Sequence, residues 1–197
     1  YQVVRSYGGF DVFVANAGVS TAEGVEEGSA ENVDFDTASS YKSYLQCVEQ
    51  VAPILAVQHQ ANPAYTSDII QINTKLSLVG SSQNAAYVGS EFGAIGLMQS
   101  FARAFIKDGV KVNAVCPGNF FDTPVWSDSE TGLLAQYLRS GKFAGAETVE
   151  EVRRACEPPM GRGCTAADVM RAIYYLVEQQ YETGQTLPVT GGQAMGS

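Results

Sequence analysis

The stretch NAAYVGSEFGAIG, residues 84–96, decides how the rest of the chain is read. Apolar spacing predicts one long helix over 84–109, so Tyr87 and Glu91, four positions apart, share a face of it. Its first half is crowded with small residues: Ala85, Ala86, Gly89, Ser90, Gly93, Ala94 and Gly96. A glycine costs about 1 kcal/mol of helix propensity relative to alanine. Three of them in one helix imply that another backbone or a ligand approaches closely.

Apolar runs on either side of this helix read as strands. DVFVANAG (11–18) is a short β-rich run closing on Asn, Ala and Gly, the profile of a buried parallel strand followed by a loop. DIIQINT (68–74), KVNAVCPG (111–118) and TLPVTGG (186–192) follow the same pattern, placing strands near 11–15, 68–73, 111–116 and 186–190. Pro188 inside the last of them points to an edge position or an unpaired N–H. An acidic loop without apolar period is expected over 19–36. A helix is expected from Asp36 to about Gln58, carried by Tyr41, Tyr44, Leu45, Val48, Ala52 and Leu55 and bent at Pro53. After the third strand come a loop and two short helices, the second opened by Thr148 with Glu151 at capping-box spacing. A last helix spans 165–180 with Thr165 as N-cap, and YQVVRSYGGF (1–10) reads as the tail of a helix stopped at Gly8-Gly9. Strands alternating with helices describe an α/β fold, one domain over 1–197, with a Rossmann-like parallel sheet covered by helices on both faces.

Composition limits the function classes. In 197 residues, 45% are apolar and 17% charged, and no apolar run approaches the roughly 20 residues of a membrane helix. A net charge of −9 excludes a nucleic-acid surface, which needs clustered Lys and Arg. Cys47, Cys116, Cys156 and Cys164 form no C-x-x-C pair, and His59 is the only histidine. That pattern predicts reduced cytoplasmic thiols and no metal site. His59 reads as a solvated surface residue, which leaves no base for a Ser-His-Asp or Cys-His mechanism. The N-terminus lacks the charged leader and apolar core of a signal peptide.

A lone Asn-Ala-Gly or Pro-Gly is an ordinary turn. The order is what carries information: a strand ending in Asn16-Ala17-Gly18, a strand ending in Thr74 thirteen residues before Tyr87, a strand ending in Pro117-Gly118, then T-G-Q and V-T-G-G. With that order the chain resembles the short-chain dehydrogenase/reductase family over essentially its full length. IIQINTKLSLVG, CPGNFFDTPVWSD, MGRGCTAADV and ETGQTLPVTGGQAM look like the branch that includes bacterial sorbitol-6-phosphate 2-dehydrogenase.

The resemblance implies hydride transfer between NAD or NADP and a sugar alcohol or sugar-alcohol phosphate, in a homodimer or homotetramer. An alcohol oxidised this way must lose its hydroxyl proton to a base. A tyrosine serves as that base when a nearby cation lowers its pKa from about 10. The resemblance assigns Tyr87 to that tyrosine and Thr74 to the hydroxyl residue holding the substrate oxygen. Ser40 falls at the position of an asparagine that carries a proton-relay water, and Glu91 at the position of the lysine. A carboxylate about 5 Å from the phenol opposes its ionisation by roughly 3 kcal/mol at an effective dielectric near 20. It can still accept hydrogen bonds from ribose hydroxyls.

By the same resemblance Asn16, Ala17 and Gly18 lie against the middle of the cofactor, and Pro117, Gly118, Asn119, Phe120 and Thr123 surround the nicotinamide. The family's phosphate-cradling G-x-x-x-G-x-G loop does not occur in the chain. Relative to the family, three strand–helix units are expected ahead of Tyr1, roughly 75–90 residues at about 30 per unit. About four strands of the Rossmann-like sheet remain. Residues 119–160 form the substrate-lid region. Lys75 either binds a substrate phosphate or is a solvated lysine at a strand end. Trp126 either contacts ligand or packs the lid. Two readings of the whole follow: an NAD(P)-dependent dehydrogenase, or a non-catalytic relative with a binding or structural role.

Overall fold

The alternation of Ile69 and Ile70 shows how the sheet divides the molecule. Ile69 packs with Val48, Leu55, Met98 and Val112 on one face, while Ile70 packs with Val115, Val169, Ile173 and Leu176 on the other. Successive strand residues point to opposite faces, so a strand buried on both sides reads as an unbroken apolar run. The computed structural model describes residues 1–19, 29–81 and 84–195.

The described sheet has four parallel strands in the order β1 (Val12–Ala15), β2 (Ser67–Ile72), β3 (Val110–Pro117) and β4 (Thr186–Val189). Each lies within two residues of its expected position. Pro188 sits on β4, which pairs only with β3 in this sheet, so its missing N–H breaks no ladder. Helix α1 (Gln2–Tyr7) ends at Gly8, whose φ of 85° is the left-handed cap expected of the Gly8-Gly9 stop.

One face is covered by α2 (Ala30–Asp36), which passes through a π-helical stretch at Thr37–Lys42 into α3 (Ser43–Ala61), and by α4 (Ala85–Phe105). The other carries α8 (Ala166–Glu178). Thr165 caps α8 through a reciprocal hydroxyl–backbone pair with Asp168, as the N-cap assignment requires. Helix α2 corrects the expected loop over 19–36. Ser29 accepts a hydrogen bond from the Asn32 N–H and starts a helix whose Val33 and Phe35 stay exposed, so no apolar period marked it. The part of that loop at 20–28 lies outside the described residues.

After β3 the chain forms three short helices where two were expected: α5 (Pro124–Ser127), α6 (Leu133–Arg139) and α7 (Val149–Ala155). The Thr148–Glu151 capping box opens the last of these. They close over a separate small core of Phe121, Leu133, Leu134, Tyr137, Val152 and Cys156. His59 differs from expectation as well. Its ring is half-buried, with Nδ1 2.8 Å from the Tyr65 carbonyl, and it packs so closely on Gly109 that a Cβ there would overlap it.

Candidate active site

The C-terminal ends of all four strands open into one cleft of about 930 Å³, the place where open α/β sheets bind their ligands. Asn16 and Gly18 after β1, Asn73 to Leu76 after β2, Pro117 to Phe120 and Thr123 after β3, and Gly192 and Gln193 after β4 all line it. Helix α4 adds Tyr87 and Glu91; the lid adds Trp126, Tyr137, Lys142 and Cys156.

Thr74 follows β2 in extended conformation and caps a single 3₁₀ turn at Lys75–Ser77, accepting from the Leu76 N–H while the Ser77 hydroxyl accepts from the Thr74 N–H. This turn brings the Thr74 side chain beside Tyr87, close enough to act on its phenol. Burial first, then the Glu91 carboxylate, push the Tyr87 phenol well above its usual range; the Thr74 hydroxyl offsets only part of this. Tyr87 is therefore a neutral O–H donor throughout the physiological range.

Glu91 lies one helical turn further along α4 and is buried. Its Oε2 accepts from Asn73 Nδ2 at 3.1 Å and from the Ser77 hydroxyl at 3.4 Å. Burial raises the Glu91 pKa; Ser40, Asn73 and Ser77 pull it down, and the nearby Asp36 carboxylate raises it again. Ser40, buried on the π-helical stretch, acts on Glu91 through its dipole without a hydrogen bond of normal geometry. Glu91 is thus integral to the site, held by donors.

The other expected positions fall as follows. Asn16, Ala17 and Gly18 are exposed after β1, with Asn16 and Gly18 lining the cleft. A Cβ built on Gly18 would meet only the Ser40 hydroxyl at 3.8 Å, so the backbone there is open to a ligand. At Gly118 a Cβ would lie 2.6 Å from Gln193 Oε1 and 3.0 Å from the Thr190 carbonyl. Only glycine lets the turn after β4 close on the exit of β3. Asn119 is buried, donating from Nδ2 to the Cys156 carbonyl at 2.8 Å and from its backbone N–H to Gln193 at 2.9 Å. Trp126 packs edge-on to Phe121 and Tyr137 in the lid and also lines the cleft. Among the described residues no group of His, Cys, Asp and Glu could hold a metal.

Several members of the site were not marked by the sequence reading. Asn73 stands next to Thr74 and Ser77 three positions beyond it, a spacing that fits a cap. Tyr137 donates to the buried Asn84 at 3.3 Å, and Lys142 stacks over the Tyr137 ring with Nζ 3.6 Å from its centroid. Nothing in periodicity picks out Lys142, which sits between short helices.

A sequence profile of the short chain dehydrogenases matches residues 1–133. The chain belongs to the short-chain dehydrogenase family. It is 28% identical over 191 residues to sorbitol-6-phosphate 2-dehydrogenase of Escherichia coli K12, covering 96% of this chain and 70% of that protein. It is 27% identical over 196 residues to the 3-oxoacyl-[acyl-carrier-protein] reductase FabG of Staphylococcus aureus, covering 98% and 70% respectively. Among solved structures, sorbitol-6-phosphate 2-dehydrogenase SrlD from Erwinia amylovora superposes with a TM-score of 0.86 at 29% identity, covering 98% of this chain and 72% of that one. Family members are oxidoreductases that use NAD or NADP.

Proposed function

We propose that this short-chain dehydrogenase transfers hydride between NAD(P) and the secondary alcohol or ketone of a sugar alcohol or its phosphate, with Tyr87 and Thr74 holding the reacting oxygen. The observation that carries this is the convergence of Tyr87 and Thr74 on the wall of the cleft that Asn16, Gly18 and Pro117 to Phe120 also line. The exposed, side-chain-poor end of β1 and the apolar rim around Phe120 suit the nicotinamide half of the cofactor, which supplies or accepts the hydride when bound. Tyr87 donates its proton to a substrate carbonyl oxygen, and Thr74 supplies a second hydroxyl to the same oxygen. Ser40 and Glu91 orient groups around the cofactor ribose. The lid over 119–160 excludes water from this chemistry. We take 1–197 as one domain in a cytoplasmic homodimer or homotetramer, which its free thiols and exposed α4 face support.

A second reading, a non-catalytic relative that keeps the cleft, is favoured by Glu91, whose charge disfavours the tyrosinate that alcohol oxidation requires. One experiment separates the two. NADPH or NADH consumption with fructose 6-phosphate, and its production with sorbitol 6-phosphate, should be measurable and fall at least ~100-fold in Tyr87→Phe. Turnover that is absent, or equal in the two proteins, would rule out the first reading.

A further inference from the structure

The cleft holds two ammonium groups with nothing to neutralise them. Lys75, directly after Thr74, and Lys142, from the loop between α6 and α7, are half-buried in its wall. Among the described residues neither lysine pairs with a carboxylate or donates a hydrogen bond from Nζ. The four ion pairs among the described residues are Lys111–Asp68, Arg154–Glu150, Arg162–Asp168 and Arg171–Asp168. Desolvation lowers the proton affinity of both, the nearby Cys156 thiol opposes this in part, and the charge on Lys142 lowers that of Lys75 further; no carboxylate acts on either. Glu91 and Glu157 line other parts of the same cleft. Two like charges drawn together out of water and left unpaired destabilise the free protein unless an anion joins them. Lys142 is held in place by the Tyr137 ring, and Tyr137 by Asn84, so the lid lysine is preorganised, not a wandering surface charge.

We propose that Lys75 and Lys142 form a two-pronged receptor for the phosphate of a polyol or ketose phosphate, with the lid supplying the second prong. This rests on the reading of the cleft as a polyol-binding site and narrows it to phosphorylated substrates. One lysine follows the residue that holds the reacting oxygen and the other comes from the opposite, lid side. The pair therefore measures the distance from reacting carbon to phosphate and selects an open-chain sugar phosphate of one length.

The test is calorimetric titration of the 197-residue chain with sorbitol 6-phosphate, sorbitol and NAD⁺, using wild type, Lys75→Met, Lys142→Met and Lys142→Arg. Methionine keeps the stem that packs on Tyr137. Sorbitol 6-phosphate should bind at least ~10-fold tighter than sorbitol, and each methionine variant should remove about tenfold of that preference while sorbitol binding is unchanged. Lys142→Arg should retain the preference. The proposal is overturned if wild type shows no preference, if the methionine variants keep it, or if they weaken NAD⁺ binding instead, which would assign the lysines to cofactor phosphates. Lysine-dependent binding without hydride transfer would defeat the proposed reaction and leave the receptor standing. Sorbitol turnover without any lysine-dependent preference would do the reverse.

Discussion

Asn73 donates from Nδ2 to Glu91 Oε2 across 3.1 Å, joining the end of β2 to α4 one turn beyond Tyr87. The same amide leaves its Oδ1 buried without a hydrogen-bond partner. The network around position 91 is thus arranged for an acceptor there, with Asn73 and Ser77 turned to donate. A surface glutamate would need none of this.

The raised pKa of Glu91 has a consequence for stability. A carboxyl whose folded-state pKa lies above its unfolded value contributes stability that is present in acid and lost as pH rises through the folded value. Glu91→Gln keeps an oxygen for Asn73 and never ionises. Its stability relative to wild type should therefore grow from pH 5 to pH 8. Thermal melts at the two pH values measure it; a constant difference would mean that Glu91 is charged at no cost.

Lysine at position 91 makes the opposite demand. The Asn73 amide can turn over and present its idle Oδ1 to the ammonium, so the pocket can accommodate the change. Reversing a charge beside the phenol is worth about 4 kcal/mol for each sign at 4 Å and an effective dielectric of 20. Glu91→Lys should lower the pKa of Tyr87 by at least one unit even after heavy screening. Ultraviolet difference titration against Tyr87→Phe in the same background reads this without turnover. Where turnover is present, the basic limb of the oxidation profile should move to lower pH.

Much of this was legible in the sequence, for reasons that differ by residue. The strands were readable because β2 and β3 are buried on both faces and carry apolar residues on both, interrupted by Ser67, Asp68, Gln71, Lys111 and Asn113. Tyr87 and Glu91 were readable because helical spacing is local. The start of α2 was not, since Val33 and Phe35 are exposed and give the helix no buried stripe. Of the three glycines in α4, only Gly93 is explained within the chain: a Cβ there would lie 3.1 Å from the Tyr41 ring. Lys142 and Tyr137 reach the site from distant segments, and no periodicity records a tertiary contact of that kind. Lys111 is a further case. A lysine opening a strand reads as solvent-facing, yet it is 3% exposed.

Lys111 pairs with Asp68 at 3.0 Å and donates to the Leu176, Val177 and Gln179 carbonyls at 2.8, 3.3 and 2.7 Å. It therefore closes the C-terminal end of α8 onto the sheet. Removing one partner leaves a buried charge uncompensated, so Lys111→Met should cost ~3–5 kcal/mol in urea denaturation at neutral pH. Asp68→Asn in the same chain should recover part of that loss. A single-variant cost below about 1 kcal/mol would show that water reaches the pair.

The remaining glycines of α4 concern assembly. Ala85, Gly89, Phe92, Gly96, Gln99 and Arg103 recur at spacings of three and four and are all exposed, forming one stripe along the helix. A Cβ at Gly89 or Gly96 would meet nothing within 4 Å among the described residues, so neither glycine is needed for packing among them. Their helix-propensity cost of about 1 kcal/mol each is offset if a second copy lays a helix across the stripe, with Phe92 as its apolar centre. Val33 and Phe35 on the neighbouring α2 extend the exposed apolar surface. Light scattering at high micromolar concentration should therefore give a dimer or tetramer, and Phe92→Glu should shift it toward monomer by at least ~10-fold in dissociation constant, since a buried unpaired carboxylate is costly. Gly96→Leu should act in the same direction through steric overlap, although it raises helix propensity and so should not lower the monomer's own stability. A monodisperse monomer of the unsubstituted chain would count against this interface and leave Gly89 and Gly96 without a physical account.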